Sequence, residues 1–216
     1  MKKGLTELVF ILDRSGSMAG MEEDTIGGFN GLIEKQKQQP GEALVTTVLF
    51  GSHIQQLHNR VDLHNVQPLT TNDYYVCGMT ALLDAVGSTI LQIDRVHQLI
   101  GEDSRPEHTM FIITTDGMEN CSKEFTVSAV KNLIEQHQQK FGWEFLFLAA
   151  NIDAAASAGK IGIQPDRAVN YHADSIGTQL NYAVMSEAIS GVRSGKKVGS
   201  SWKKRIEQDF LNRKNK

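Results

Sequence analysis

The 216-residue chain has no run of 18 apolar residues and only two cysteines, Cys77 and Cys121. A helix needs roughly 20 mostly apolar residues to cross a bilayer, so we expect no membrane span and no membrane partner. The N-terminus has two lysines but no separate apolar segment with a small-residue cleavage site, so we predict no signal peptide. Two cysteines are too few for a disulfide framework, and we therefore predict a cytoplasmic protein with ordinary free thiols rather than a redox pair.

Several motifs that mark enzymes are also missing. No GxxxxGK[ST] loop occurs, and no GxGxxG sequence follows the first apolar run, which argues against a nucleotide cofactor. We find no convincing Ser–His–Asp arrangement. His53, His58 and His64 match no zinc-binding spacing, and we predict that they lie on the surface or in loops. These absences favour a protein that is not an enzyme.

Charge is distributed unevenly along the chain. The formal net charge is −3, but residues 193–216 contain nine Lys or Arg and two acidic residues, a net charge of +7. The preceding 192 residues contain 13 basic and 23 acidic residues, a net charge of −10. We predict one domain over residues 1–195 and a basic helical tail over 196–216 that packs against this acidic domain. Polyanion binding by the tail is the alternative, but Trp202 is the only aromatic residue among its basic groups before Phe210, so we do not expect nucleic acid as a partner.

Apolar runs alternate with amphipathic stretches. Runs without polar alternation are typical of strands that are buried on both faces of a parallel sheet, and they occur at 7–13, 43–51, 108–115, 143–150 and 167–171. The segment 52–57 can pair with the second run as an antiparallel neighbour. Helical spacing recurs near residues 26–33, 82–93, 127–134 and 175–192. This order predicts an α/β fold: a doubly wound, mostly parallel open sheet with helices on both faces and one antiparallel edge strand.

A sequence D-x-S-x-S, formed by Asp13, Ser15 and Ser17, ends the first predicted strand. It places one carboxylate and two hydroxyls on a tight loop, and such oxygen ligands suit Mg²⁺. Thr80 follows a glycine at the start of a helical stretch, and Asp116 follows another strand. Ligand sites of open α/β sheets lie at the carboxyl ends of the strands, so we expect these segments to meet in one crevice.

The three segments LDRSGSMAG, CGMTAL and ITTDGMEN together resemble the von Willebrand factor A domain, which is also found as the integrin I domain. The resemblance covers roughly residues 6–193. It implies a metal-ion-dependent adhesion site that binds Mg²⁺ or Mn²⁺. In that site Ser15, Ser17 and Thr80 offer hydroxyls, and Asp13 and Asp116 bind the metal directly or through water.

The resemblance also implies a function. A partner protein supplies a Glu or Asp carboxylate to the metal, so that the domain is a metal-dependent protein-binding module. Without adhesive extracellular features, the chain is similar to compact bacterial members that act as cytoplasmic scaffolds or adaptors. The alternative from another class is a Mg²⁺-dependent phosphotransferase or hydrolase with Asp13 as nucleophile. That alternative lacks a D-x-D pair, because position 15 is Ser.

Overall fold

A computed structural model describes residues 1–214 and contains one six-stranded sheet. The predicted tail therefore extends beyond the described residues at its end, where Lys216 lies. The strands are β1 (Lys2–Asp13), β2 (Glu42–Phe50), β3 (Ile54–Asp62), β4 (Pro106–Thr115), β5 (Glu144–Ala149) and β6 (Ala168–Asn170). Their order is β3-β2-β1-β4-β5-β6, and every neighbouring pair is parallel except the antiparallel pair β2–β3. The predicted fold class is confirmed, with β3 as the antiparallel edge strand.

Helices cover both faces of the sheet, as predicted. They are α1 (Glu22–Lys37), α2 (Leu82–Leu99), α3 (Val127–Phe141), α4 (Ala154–Lys160), α5 (Ser175–Arg193) and α6 (Lys204–Lys214). Alternate residues of β1 enter two separate cores: Leu8 and Phe10 pack with α1, α5 and α6, whereas Val9 and Ile11 pack with α2, α3 and α4. Because β1 is buried on both faces, its sequence is a continuous apolar run rather than an alternating one.

Close packing explains one of the glycines in the interior of α1. A Cβ atom on Gly28 would lie 2.1 Å from the Cδ2 atom of Tyr182 on α5. Glycine weakens an isolated helix by about 1 kcal/mol relative to alanine. Here it lets the aromatic ring of α5 lie directly on the backbone of α1, so tertiary packing compensates for the poor helix propensity.

Three details of the sequence prediction need correction. Strand β1 begins at Lys2 rather than at residue 7, because its polar start pairs with Pro106 across an irregular register. Helix α4 was not predicted; it has only seven residues, and Asp153 caps it by accepting a hydrogen bond from the backbone N–H of Ala156. His58 is buried rather than on the surface: its Nδ1 lies 3.0 Å from the Thr47 hydroxyl.

A buried charge cluster lies on β1 at some distance from Asp13. The carboxylate of Glu7 is fully buried, and Arg60 of β3 donates to it through Nε at 2.7 Å and Nη2 at 3.2 Å. His97 of α2 places its Nε2 atom 2.6 Å from the second carboxylate oxygen. This cluster joins β1, β3 and α2 through one acidic side chain.

The C-terminal segment packs against the body of the fold. Ile206 of α6 is 1% exposed. Three cations of the segment bind elsewhere in the fold: Lys203 donates to the carbonyls of Pro165 and Ala168, Arg205 pairs with Glu187, and Arg213 pairs with Asp174. The domain boundary at residue 195 stays a prediction. Within residues 1–214, no helix is both long and apolar enough to cross a bilayer.

Candidate metal centre

The candidate site lies where the strand order reverses, at the carboxyl ends of the neighbouring strands β1 and β4. Asp13 is the last residue of β1, and Asp116 directly follows the last residue of β4. Parallel strands that lead to helices on opposite faces leave a crevice at this point. The topology therefore brings together two carboxylates that are about one hundred positions apart in the sequence.

Asp13 is held by the loops on both sides of it. The backbone N–H of Ser15 donates to Oδ1 of Asp13 at 2.7 Å, and the hydroxyl of Thr115 donates to Oδ2 at 2.6 Å. The buried hydroxyl of Tyr74 donates to the Asp13 carbonyl. Burial raises the pKa of Asp13 above its usual value, although the hydrogen bonds from Ser15 and Thr115 oppose this rise.

Three hydroxyls form a cluster beside the two carboxylates. The Ser15 Oγ lies 3.1 Å from the Ser17 Oγ and 3.0 Å from the Thr80 Oγ1. Gly117 closes the cluster, because a Cβ atom there would lie 3.0 Å from the Ser17 Oγ and 3.3 Å from the Thr80 Oγ1. The β1–α1 loop, the loop before α2 and the loop after β4 thus meet at one point.

Asp116 differs from Asp13 in that its buried carboxylate accepts no hydrogen bonds from the described residues. The residue is 2% exposed, and neither carboxylate oxygen has a hydrogen-bond partner within the described part of the chain. Burial raises the pKa of Asp116, and the charge of Asp13 raises it further. The nearby Ser17 hydroxyl offsets part of the rise, although it makes no hydrogen bond of normal geometry with this carboxylate. A buried, unpaired carboxylate is costly unless a cation neutralises it.

The donor set fits a hard divalent cation. Two carboxylates and three hydroxyls are the oxygen ligands that Mg²⁺ and Mn²⁺ prefer. No three His, Cys, Asp or Glu side chains converge on a metal-sized position in residues 1–214, so the site depends on its hydroxyls. The structure brings all five predicted residues to one crevice, and their role as metal ligands stays a prediction.

Backbone hydrogen bonds hold the loops in register. The N–H of Gly16 donates to the carbonyl of Gly78 at 3.0 Å. Asn120 accepts from the N–H of Thr80 at 2.9 Å, and its own N–H donates to the Thr80 carbonyl at 3.1 Å. The side chain of Asn120 therefore links the loop after β4 to the loop that carries Thr80.

Sequence reasoning missed two acidic residues that order the same loops. Asp84, near the start of α2, accepts hydrogen bonds from the backbone N–H groups of residues 123, 124 and 125. Glu119 accepts from the N–H groups of Leu83, Cys121 and Ser122 and from the Ser122 hydroxyl. Both carboxylates are saturated with backbone donors, which makes them positioning residues. No local pattern indicates the contacts of Asp84, or that of Glu119 with Leu83, because these partners lie about 36 to 41 positions away along the chain.

Comparison with known proteins identifies the fold. No protein-family model and no curated protein matches the chain. The chain is similar to proximal thread matrix protein 1 from the mussel byssus, with a TM-score of 0.59 and 12% identity. In that structure zinc occupies the metal-ion-dependent adhesion site (MIDAS) motif. The ArnB paralog VWA2 from Sulfolobus acidocaldarius gives a TM-score of 0.52 and 19% identity, and a von Willebrand factor type A protein from Catenulispora acidiphila gives 0.53 and 14%.

These similarities span most of the present chain but only part of each relative. They cover 87%, 87% and 86% of this chain and 46%, 45% and 42% of the three solved chains, respectively. The chain therefore spans less than half the length of each. At these identities the likeness shows the fold alone.

Proposed function

We propose that this chain, which has the fold of the von Willebrand factor A domains, is a divalent-metal-dependent protein-binding module. The observation that carries the proposal is the buried Asp116 carboxylate, whose two oxygens accept no hydrogen bond from residues 1–214 and lie beside a cluster of three hydroxyls. This arrangement supports a cation site better than it supports a set of turn and cap residues. Capping residues accept hydrogen bonds from backbone N–H groups, and the Asp116 side chain accepts none from the described part of the chain.

The five side chains have distinct roles in this proposal. The hydroxyls of Ser15, Ser17 and Thr80 are neutral ligands, and Asp13 and Asp116 supply the negative charge directly or through water. A bound Mg²⁺ or Mn²⁺ supplies a positive centre that attracts a carboxylate. Ser17 is exposed, whereas Ser15 and Thr80 are buried, so the cluster opens to solvent on the Ser17 side. A Glu or Asp of a partner protein can approach from there.

Exposed apolar side chains next to the cluster support a protein partner. Met79 is 53% exposed one position before Thr80, and Met118 is 70% exposed two positions after Asp116. Exposed apolar groups beside a polar centre are typical of protein-binding surfaces, and methionine is enriched in such interfaces. The unpaired state of Cys77 and Cys121 is compatible with a cytoplasmic scaffold or adaptor, which is the setting we propose.

The enzyme alternative has less support. A nucleophilic carboxylate must contact its substrate, but the Asp13 residue is only 1% exposed. The polyanion-binding alternative also has less support, because Lys203, Arg205 and Arg213 bind other parts of the fold. We therefore propose a binding role that centres on the metal site.

The proposal predicts a partner that is retained only with metal and an intact site. The immobilised chain is incubated with native lysate in Mg²⁺ and in EDTA, alongside the Asp116→Asn variant. Asp153→Asn is the matched control, because Asn preserves the cap of α4 and Asp153 is not one of the five candidate ligands. We expect the wild type and the control to retain the same protein in Mg²⁺ alone, and Asp116→Asn to retain none. Equal retention under all conditions would contradict the proposal.

A further inference from the structure

A small cavity lies beside the Asp116 loop. Its volume is about 250 Å³, and it opens between the N-terminal ends of α2 and α3, the loop after β4, and α4. Its apolar walls are formed by Leu82, Leu83, Met118, Val127, Ile152 and Ile161. Val127 is 42% exposed and Met118 is 70% exposed, so the apolar lining continues out to the protein surface.

The acidic group in the cavity wall is already satisfied. Glu119 uses both carboxylate oxygens to accept hydrogen bonds from the start of α2 and from its own loop. It is therefore poorly placed to bind a cation or a polar ligand. Lys160 is exposed at the cavity and adds a positive charge. Apolar contact with a neutral or acidic segment is the chemistry that remains.

The size and position of the cavity limit what can occupy it. Pockets for small-molecule ligands usually measure about 300–1,000 Å³, so this cavity suits a single large side chain better than a free ligand. Gly117 belongs both to the cavity wall and to the hydroxyl cluster, where it approaches Ser17 and Thr80. The cavity therefore lies next to the candidate metal site, with Gly117 between them.

We infer that the partner presents a large apolar residue within a few positions of its metal-binding Glu or Asp, and that this side chain enters the cavity. The inference rests on the proposed function and adds a second specificity determinant to it. Energetic hot spots cluster in well-packed pockets from which water is excluded, and a side chain that fills this cavity meets that description. The metal selects the carboxylate, and the cavity selects its neighbour.

A displayed peptide library tests this inference. Each peptide has a central Glu with three randomised positions on either side, and the wild type sorts the library in Mn²⁺ and in EDTA. We expect binding only in Mn²⁺, with Leu, Ile, Met or Phe enriched at one flanking position. Burial of such a side chain contributes to the free energy of binding. Its replacement by Ala should therefore raise the dissociation constant of the selected peptide about tenfold or more.

Two cavity variants and one control variant test whether the apolar preference depends on the cavity. Ser157→Phe fills the cavity from α4, and Ala155→Phe places the same side chain on the exposed face of that helix. Val127→Asp is a second probe, because an acidic residue is favourable in the first turn of α3. Ser157→Phe and Val127→Asp should lose the apolar preference but still require Glu and Mn²⁺, whereas Ala155→Phe should match the wild type.

The outcomes separate the inference from the proposed function. Metal-dependent, Glu-dependent binding without an apolar preference would overturn the inference and leave the proposed function standing. An apolar preference that both cavity variants retain would also overturn it. If no peptide binds in a metal-dependent manner, both the proposed function and the inference fail.

Discussion

Asp116→Asn is expected to stabilise the metal-free protein and to abolish its stabilisation by divalent cations. The wild-type carboxylate is buried without a hydrogen-bond partner in the described chain and lies near Asp13. Removing its charge should raise the free energy of unfolding in EDTA by about 1 kcal/mol. Mg²⁺ at one hundred times its dissociation constant should stabilise the wild type by about 2.7 kcal/mol. The variant should show no such gain at the same concentration, as measured by urea denaturation.

Asp153→Asn is the matched control for this experiment. Asp153 caps α4, and Asn is an equally good capping residue. This variant should keep the full response to Mg²⁺. If Asp116→Asn destabilises the metal-free protein and still responds to Mg²⁺ like the wild type, Asp116 is a structural residue and our account of the site is wrong.

Glu7→Gln is expected to cause the largest loss of stability of any conservative substitution proposed for this chain. The change keeps the shape of the side chain but removes the charge that Arg60 and His97 share. Breaking a buried ion pair on one side costs about 3–5 kcal/mol. The expected value is near the lower end, because the Arg60 side chain is 17% exposed. Urea denaturation of the wild type and the variant measures the difference.

An exposed ion pair provides the comparison. Lys2 and Glu42 pair on the surface, with side-chain exposures of 46% and 61%. Glu42→Gln should change the free energy of unfolding by less than about 1 kcal/mol. A Glu7→Gln effect as small as that of Glu42→Gln would show that the buried cluster contributes little to the fold.

Much of the fold could be predicted because its central strands are buried on both faces. The apolar runs of β1, β4 and β5 have no polar alternation, and this pattern is typical of a parallel sheet between two layers of helices. The location of the candidate site could be predicted for a related reason, since the carboxyl ends of the two strands on either side of the reversal in strand order must lie side by side. The sequence alone therefore places Asp13 and Asp116 in one crevice.

Other features depend on contacts between distant segments that no local pattern encodes. Glu7 and Arg60 are 53 positions apart, and Glu7 and His97 are 90 positions apart. Asp84 reaches backbone N–H groups about 40 positions away. A short periodic segment such as α4 is also too brief for its apolar spacing to stand out. Periodicity indicates which face of an element is buried, but not which polar side chain fills a gap in that face.

The most direct test of the central claim is anomalous diffraction from a crystal of the wild-type chain soaked in Mn²⁺. Our account predicts an Mn²⁺ ion at the carboxyl ends of β1 and β4, within bonding distance of the hydroxyl oxygens of Ser15, Ser17 and Thr80. Asp116 should bind it directly or through one water, and a coordination position should face solvent on the Ser17 side. A crystal with Mn²⁺ at other surface positions and none in this crevice would contradict the account.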